Sequence, residues 1–253
     1  MTLTPSGVLP IDKPLGWTSF DVVAVARRSL GAKRVGHGGT LDPLATGVLP
    51  LLVGSATKFA DRLHTASKVY AALVTFGRET ATDDREGAAT REAELPAVSR
   101  DELDSMLEAF RGPQAQVPPA YAAVKVDGRR AYARARSGET VELAARTVTV
   151  ERLAIASWEP PDLRLLVVCS TGTYIRSLAR DIGRAAGSAA HLGGLRRLAV
   201  GALTIDDAQS VEQLRGTPDA ARLIDADDRI LPLAERFREA PAAELMATWG
   251  RSA

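Results

Sequence analysis

Asp42 stands in the segment Gly36-His-Gly-Gly-Thr-Leu-Asp-Pro-Leu-Ala-Thr-Gly47, with no other acid since Asp21 and with Arg27, Arg28, Lys33, Arg34 and His37 upstream. Glycines permit positive φ and the close approach of a backbone or ligand, and a following proline restricts Asp42 to extended backbone. A lone carboxylate presented this way beside cations suits a nucleophile or base acting on a polyanion. The segment alone fits an ordinary Gly/Pro turn equally well. It does not fit a phosphate-binding loop, because the Lys-Ser or Lys-Thr pair that follows the glycines there is missing.

The elements that must carry this loop are legible in the hydrophobic pattern. Val8–Ile11 reads as a short strand ended by Asp12-Lys13-Pro14, and Ser19 as the cap of an amphipathic helix to about Leu30, stopped at Gly31. The apolar run Val48–Val53 follows the loop. Ser55 or Thr57 is expected to cap a helix through Leu63, and Lys68–Phe76 alternates as a strand does. Ser99 with Glu102 forms a capping box that opens a helix to about Phe110. Three prolines in Gly112–Pro119 are read as a break, Tyr121–Val126 as strand and Arg129–Arg136 as a basic helical stretch. Thr147–Ile155 and Leu163–Cys169 are predicted neighbouring strands, Thr173–Ala186 a helix, Leu192–Val200 a strand, and Asp206–Leu214 a helix with Ser210 as a possible cap. Without a regular βαβ rhythm, the order favours an α+β fold on a mixed, largely antiparallel sheet flanked by helices. Residues 1–216 are expected to form the main domain and 217–253 a short C-terminal appendage.

Bulk properties narrow the function classes. The chain has 253 residues, 45% hydrophobic and 25% charged, as in an ordinary globular protein. It lacks an apolar run long enough to span a bilayer and an N-terminal secretory pattern, so a cytoplasmic location is expected. A single Cys169 in an apolar run is read as a buried residue. His37, His64 and His191 lack ligand spacing, so no metal site is expected. Net charge is only +1, but Lys125–Arg136 and Arg164–Arg197 are basic while Glu79–Glu108 carries ten acids against three arginines. That asymmetry suits one basic and one acidic face, and it permits an RNA partner; solvated helix faces are the competing reading.

Asp12-Lys-Pro-Leu-Gly-Trp-Thr-Ser19, the Gly36–Gly47 segment and Lys68-Val-Tyr70 together resemble the TruB family of bacterial tRNA pseudouridine-55 synthases. Val117-Pro-Pro-Ala-Tyr-Ala-Ala-Val-Lys125, Cys169-Ser-Thr-Gly-Thr-Tyr-Ile-Arg176 and Leu195-Arg-Arg-Leu198 follow in the family's order, so the resemblance spans roughly Gly7 to Leu214. It implies the pseudouridine synthase fold and isomerisation of uridine 55 in the T-loop of tRNA, after the base is flipped from its stack and without a cofactor or metal. By resemblance Asp42 is the catalytic aspartate, with attack on the sugar, attack on the base and removal of a ribose proton all open to it. Arg176 matches the arginine that pairs with it, and Tyr70 the tyrosine that stacks on the target base and is a candidate for handling the C5 proton. His37, Tyr174 and Leu195 match positions around the flipped uridine, with core packing the alternative for Leu195, and Lys13 belongs to the Lys-Pro motif, where bracing is the alternative to touching RNA. Lys125, Arg129, Arg130, Arg196 and Arg197 are read as phosphate contacts, with solvated surface as the competing reading. The partner implied is the T-arm of tRNA, bound by a monomer. Many members end in a β-rich RNA-binding domain of the PUA type, which is expected to be absent or vestigial here. The rival readings are an RNA-binding module without catalysis and a phosphate-handling enzyme.

Overall fold

The computed structural model describes residues 5–121, 125–126, 129–130, 143–217, 222–247 and 249. In chain order the first half runs β1 (Gly7–Lys13), α1 (Ser19–Ser29), β2 (Val35–His37), β3 (Ala45–Val53), α2 (Ala60–Thr65), β4 (Lys68–Phe76), β5 (Arg78–Thr80), β6 (Ala89–Glu92), α3 (Arg100–Leu107) and β7 (Gly112–Gln116). The second runs β8 (Lys125–Val126), β9 (Arg129–Arg130), β10 (Arg146–Glu159), β11 (Asp162–Cys169), α4 (Ile175–Ala185), β12 (Ala190–Val200), β13 (Leu203–Thr204), β14 (Gln209–Ser210), α5 (Val211–Gly216), α6 (Arg236–Glu239) and α7 (Ala242–Leu245). The chain divides into two compact units, Met1–Ala71 with Leu195–Ala240 and Ala72–Gly194 with Pro241–Ala253. Two of the three division points fall inside strands, β4 and β12.

The first unit is built on the strand order β14-β1-β3-β12, with β2 also on β3 and β13 on β12. β1 and β3 are antiparallel in unbroken register from Gly7 opposite Val53 to Lys13 opposite Gly47. Strand β12 runs parallel to the start of β3, setting Leu195 beside Ala45 and Arg197 beside Gly47. The apolar run of β3 is continuous because both faces of this sheet are covered. Leu9, Ile11, Leu49, Leu51 and Val53 pack with Val22, Val23 and Ala26 of α1 on one side. Val8, Val48 and Leu52 pack with Phe59, Leu63 and Ile230 on the other. Ile224 extends this unit by exchanging backbone hydrogen bonds with Val8 in both directions, at 2.7 and 2.8 Å.

The second unit carries the order β4-β11-β10-β7. β10 and β11 form an antiparallel pair with two register shifts, and β7 pairs antiparallel with β10. Helix α3 begins with the capping box foreseen at Ser99 and Glu102. The α+β class with a mixed, largely antiparallel sheet is therefore observed.

Several local expectations are corrected. Thr18, not Ser19, caps α1 through a capping box with Asp21, because the Ser19 hydroxyl is taken by the backbone of Leu41. Gly54–Phe59 is a 3-10 turn without a side-chain cap, and α2 starts only at Ala60. The proline segment is not a break: Gly112–Gln116 is a strand at the end of the sheet order, a place where Pro113 forfeits no ladder bond that the sheet requires. Arg129–Arg130 is strand rather than helix, pairing with Lys125–Val126, and residues 131–136 lie outside the described residues. Asp206–Leu214 divides into a 3-10 turn, β14 and a helix capped by Ser210.

Candidate active site

The Asp42 loop is immobilised through its own main chain. Each carbonyl from Gly39 to Pro43 accepts a hydrogen bond. Arg197 Nη2 donates to Gly39 at 3.0 Å and Arg197 Nη1 to Thr40 at 3.5 Å. Ser19 Oγ donates to the Leu41 carbonyl at 3.2 Å while accepting from the Leu41 N–H at 2.9 Å. The Asp42 carbonyl accepts from Ala45 N–H, and that of Pro43 from Gly16 N–H at 2.9 Å and Lys13 Nζ at 3.4 Å. Gly47 closes the arrangement: with φ near +99°, a Cβ there would lie 2.2 Å from the Arg197 carbonyl. The half-buried Asp42 side chain thus sits on a backbone with little freedom to relax.

Two buried cations underlie the loop. Arg197, 1% exposed, also donates through Nε to Val48 O at 2.7 Å. Lys13, fully buried, donates to the carbonyls of Trp17 at 2.7 Å and Pro14 at 3.0 Å as well as Pro43. Burial lowers the Lys13 pKa to about 8; the Asp42 charge opposes that fall and the Arg197 charge adds to it. The consequences for stability and activity have opposite signs. As pH rises from about 8 toward 10.5, the unfolded chain holds this proton more tightly than the folded one, so this contribution to stability grows. In the same range the loop loses a charged donor. With saturating substrate, kcat is expected to fall along a limb near pH 8 while thermal stability does not fall with it. A flat kcat through pH 9 would remove Lys13 from any active role.

His37 lies in β2, half-buried, and its Nδ1 accepts from Gly39 N–H at 3.4 Å, which leaves the proton on Nε2. Burial first, then the charges of Arg197 and His64, hold its pKa below the usual value, so the ring is neutral at pH 7. The exposed Phe20 ring meets it edge-on at 5.7 Å between centroids. Tyr70 of β4 and Leu195 of β12 are partly buried against the cluster that contains Leu41 and Ala45, on either side of Asp42 in sequence. The first unit therefore gathers Asp42, Lys13, His37, Tyr70 and Leu195.

Tyr174 and Arg176 belong to the second unit, at the start of α4. The Gln116 amide clamps the Tyr174 backbone, accepting from its N–H at 2.8 Å and donating to its carbonyl at 3.1 Å. Arg176, nearly buried, donates to Thr82 O at 3.0 Å and Tyr121 O at 3.3 Å and lies 3.6 Å from the Asp84 carboxylate. One turn on, Arg180 pairs with Asp83 at 2.7 Å, and one turn further Arg184 pairs with Glu79 at 2.6 Å. This stripe at i, i+4 and i+8 corrects the expectation of separate basic and acidic faces: these arginines and acids neutralise each other. Asp84→Asn keeps an acceptor for Thr82 Oγ1 and the Glu86 N–H but removes the charge that holds Arg176. It is expected to lower kcat by roughly tenfold or more with little change in KM, since displacing a reacting group is expensive. An unchanged kcat would confine the pair to structural work.

Lys125 and Arg129 lie on the paired strands β8 and β9. Arg196 binds Asp12 through two bonds of 2.7 and 3.0 Å, and Arg197 is buried under the loop, so Arg197 is not available to a phosphate. Sequence reasoning missed Ser19 and Gln116 as clamps, Asp84 as a partner of Arg176, and Arg197 as a brace. Only the Arg-Arg of Leu195–Leu198 hinted at the last. Among the described residues no cluster of three or more His, Cys, Asp or Glu is placed to hold a metal, and no helix is long and apolar enough to cross a membrane.

Fold and site together describe an α+β enzyme organised around one immobilised aspartate loop. A family model described as TruB family pseudouridylate synthase (N terminal domain) matches residues 27–175. A protein of Arthrobacter sp. (strain FB24), curated as tRNA pseudouridine synthase B, is 44% identical over 90% of this chain and 76% of its own length. One of the same name from Cupriavidus metallidurans is 49% identical over 85% and 69%. Among solved structures, a Cbf5-Nop10-Gar1 complex matches with a TM-score of 0.66 at 31% identity, covering 84% of this chain and 54% of that one. An H/ACA RNP bound to a substrate RNA containing 2'-deoxyuridine matches at 0.63 and 29%, over 84% and 53%. The chain spans about half the length of these solved chains. It belongs to the TruB family of pseudouridylate synthases.

Proposed function

We propose that the protein isomerises uridine 55 in the T-loop of tRNA to pseudouridine, with Asp42 as the essential carboxylate and with Tyr70 and Arg176 as its catalytic companions. The reaction breaks the N1–C1′ bond, forms C5–C1′, releases the C5 proton to solvent and takes up a proton at N1, so it is redox-neutral and consumes no co-reactant. The observation that carries the reading is the carboxylate loop, whose main chain is tied at every carbonyl from Gly39 to Pro43. Attack on the sugar, attack on the base and removal of a ribose proton all demand an ionised carboxylate held at one place, and such positioning is worth several powers of ten. Relatives curated as tRNA pseudouridine synthase B support the choice of substrate.

The target base is turned out of its stack, at a cost of a few kcal/mol that contacts in a fitted pocket offset. Tyr70 supplies a π-face for it, and contacts to it are assigned to His37, Tyr174 and Leu195 by their match to the family's positions. Lys125 and Arg129 contact phosphates, and Lys13 acts through the loop. The catalytic domain comprises residues 1–216, with 217–253 as an appendage to it. The enzyme works as a cytoplasmic monomer on the T-arm and takes no metal. Tritium release from tRNA carrying [5-³H]uridine tests the reading, with release expected from wild type. RNA bound without release would instead favour a binding module.

A further inference from the structure

Helix α1 presents an exposed face that the reaction as described leaves unused. Val22, Val23 and Ala26 are buried, while Phe20, Ala24, Arg27 and Arg28 are exposed, at spacings of four, seven and eight residues that share one side of a helix. Phe20 is 72% exposed, the most exposed aromatic among the described residues. A phenyl ring held in water contributes nothing to the core. This ring stands edge-on to His37, five residues before Asp42. Farther along the same face, Arg28 and Arg215 flank a small cleft of about 140 Å³ that Ala24, Val25 and Ser29 complete. The Arg215 guanidinium is itself stationed over the Trp17 ring at 5.2 Å. From Phe20 to Arg28 the helix rises by about 12 Å. The one acid on this side, Asp21, is engaged by the N–H and hydroxyl of Thr18.

We infer that this face is a track for the substrate RNA, on which Phe20 stacks against an unpaired loop base beside the isomerised nucleotide and the Arg28–Arg215 cleft receives a phosphate of the same strand. The inference rests on the proposed tRNA reading for its substrate and extends it to a surface outside the Asp42 loop. An exposed ring followed by guanidiniums is the arrangement that binds single-stranded nucleic acid: the π-face accepts any base, and the cations follow the backbone. The near-perpendicular contact with His37 helps to set the ring's orientation, and most of the side chain stays exposed to solvent. A protein partner would use an apolar Phe20 equally well, but it would not call for the two-arginine cleft.

The test compares Phe20→Ala, Phe20→Leu and Phe20→Trp in tritium release and in equilibrium binding of a T-arm RNA hairpin. Phe20→Ala is expected to raise KM and the hairpin Kd by on the order of tenfold, as loss of one stacked base does, with the loss carried by KM rather than kcat. Tryptophan should restore binding; leucine, apolar but without a π-face, should not. Arg28→Gln should make the salt dependence of log Kd shallower by about one phosphate contact. A hairpin Kd unchanged in Phe20→Ala, or equal rescue by leucine and tryptophan, would overturn the stacking role and leave a protein-facing patch. Failure of wild type to release tritium would instead strike the proposed reaction, and the hairpin Kd of wild type against Phe20→Ala would still decide the surface.

Discussion

Asp42→Asn is expected to reduce pseudouridine formation by on the order of 10⁴-fold while changing tRNA affinity by no more than about twofold. The substitution is isosteric, and the loop carbonyls are held by main chain and by side chains other than Asp42. The carbonyls of Gly39 and Thr40 stay on Arg197, that of Leu41 on Ser19, and that of Pro43 on Gly16 and Lys13. What disappears is one negative charge. Tritium release beside filter-binding affinity measures the two effects separately, and appreciable turnover by the mutant would take Asp42 out of the chemistry. A second consequence has a fixed sign. The Asp42 charge raises the Lys13 pKa against the effect of burial, so its removal should move the Lys13 titration below about 8, observable by heteronuclear NMR of the lysine side chain.

Arg197→Met should be the most damaging change at a residue that does not itself touch the reacting atoms. Methionine fills much of the same volume, so packing is largely kept, but three hydrogen bonds are lost, from Arg197 Nη2, Nη1 and Nε to the carbonyls of Gly39, Thr40 and Val48. Buried carbonyls left without donors are expensive, and we expect a loss of about 3 kcal/mol in unfolding free energy. A fall in kcat of roughly a hundredfold should accompany it, because the carboxylate loop loses its floor. Arg197→Lys should rescue poorly, since an ammonium cannot reproduce the planar fork that reaches separate carbonyls. Chemical denaturation and single-turnover kinetics check both parts. The Lys13 titration should here move upward, opposite to its shift in Asp42→Asn, because the Arg197 charge lowers it. Shifts of the same sign in the two variants would show that loop rearrangement, not charge, sets that pKa.

Much of the architecture is readable from local pattern alone. The apolar runs of β3 and β11, the alternation of β4 and the Ser99/Glu102 box each encode an element through short-range periodicity or a hydrogen bond three residues long. The order of the glycine-loop, Lys-Val-Tyr and Gly-Thr-Tyr-Ile-Arg segments is likewise a property of the chain as written, and it was enough to indicate the family and to single out Asp42.

What the tertiary structure alone decided is which long polar side chains are buried and what they hold. Arg196 and Arg197 are adjacent and chemically identical, yet one binds Asp12 at the edge of the site and the other lies beneath the loop with its donors on carbonyls about 150 residues away in sequence. Thr18 and Ser19 compete for one helix cap, and the choice is made by Leu41, distant in sequence, which takes the serine hydroxyl. The acids of Glu79–Asp84 and the arginines of α4 read as opposite surfaces until the fold sets them side by side. Sequence periodicity reports whether a residue faces water or core at the scale of one element. The burial of a guanidinium depends on whether distant backbone carbonyls converge on it, and that convergence exists only once the strands have paired.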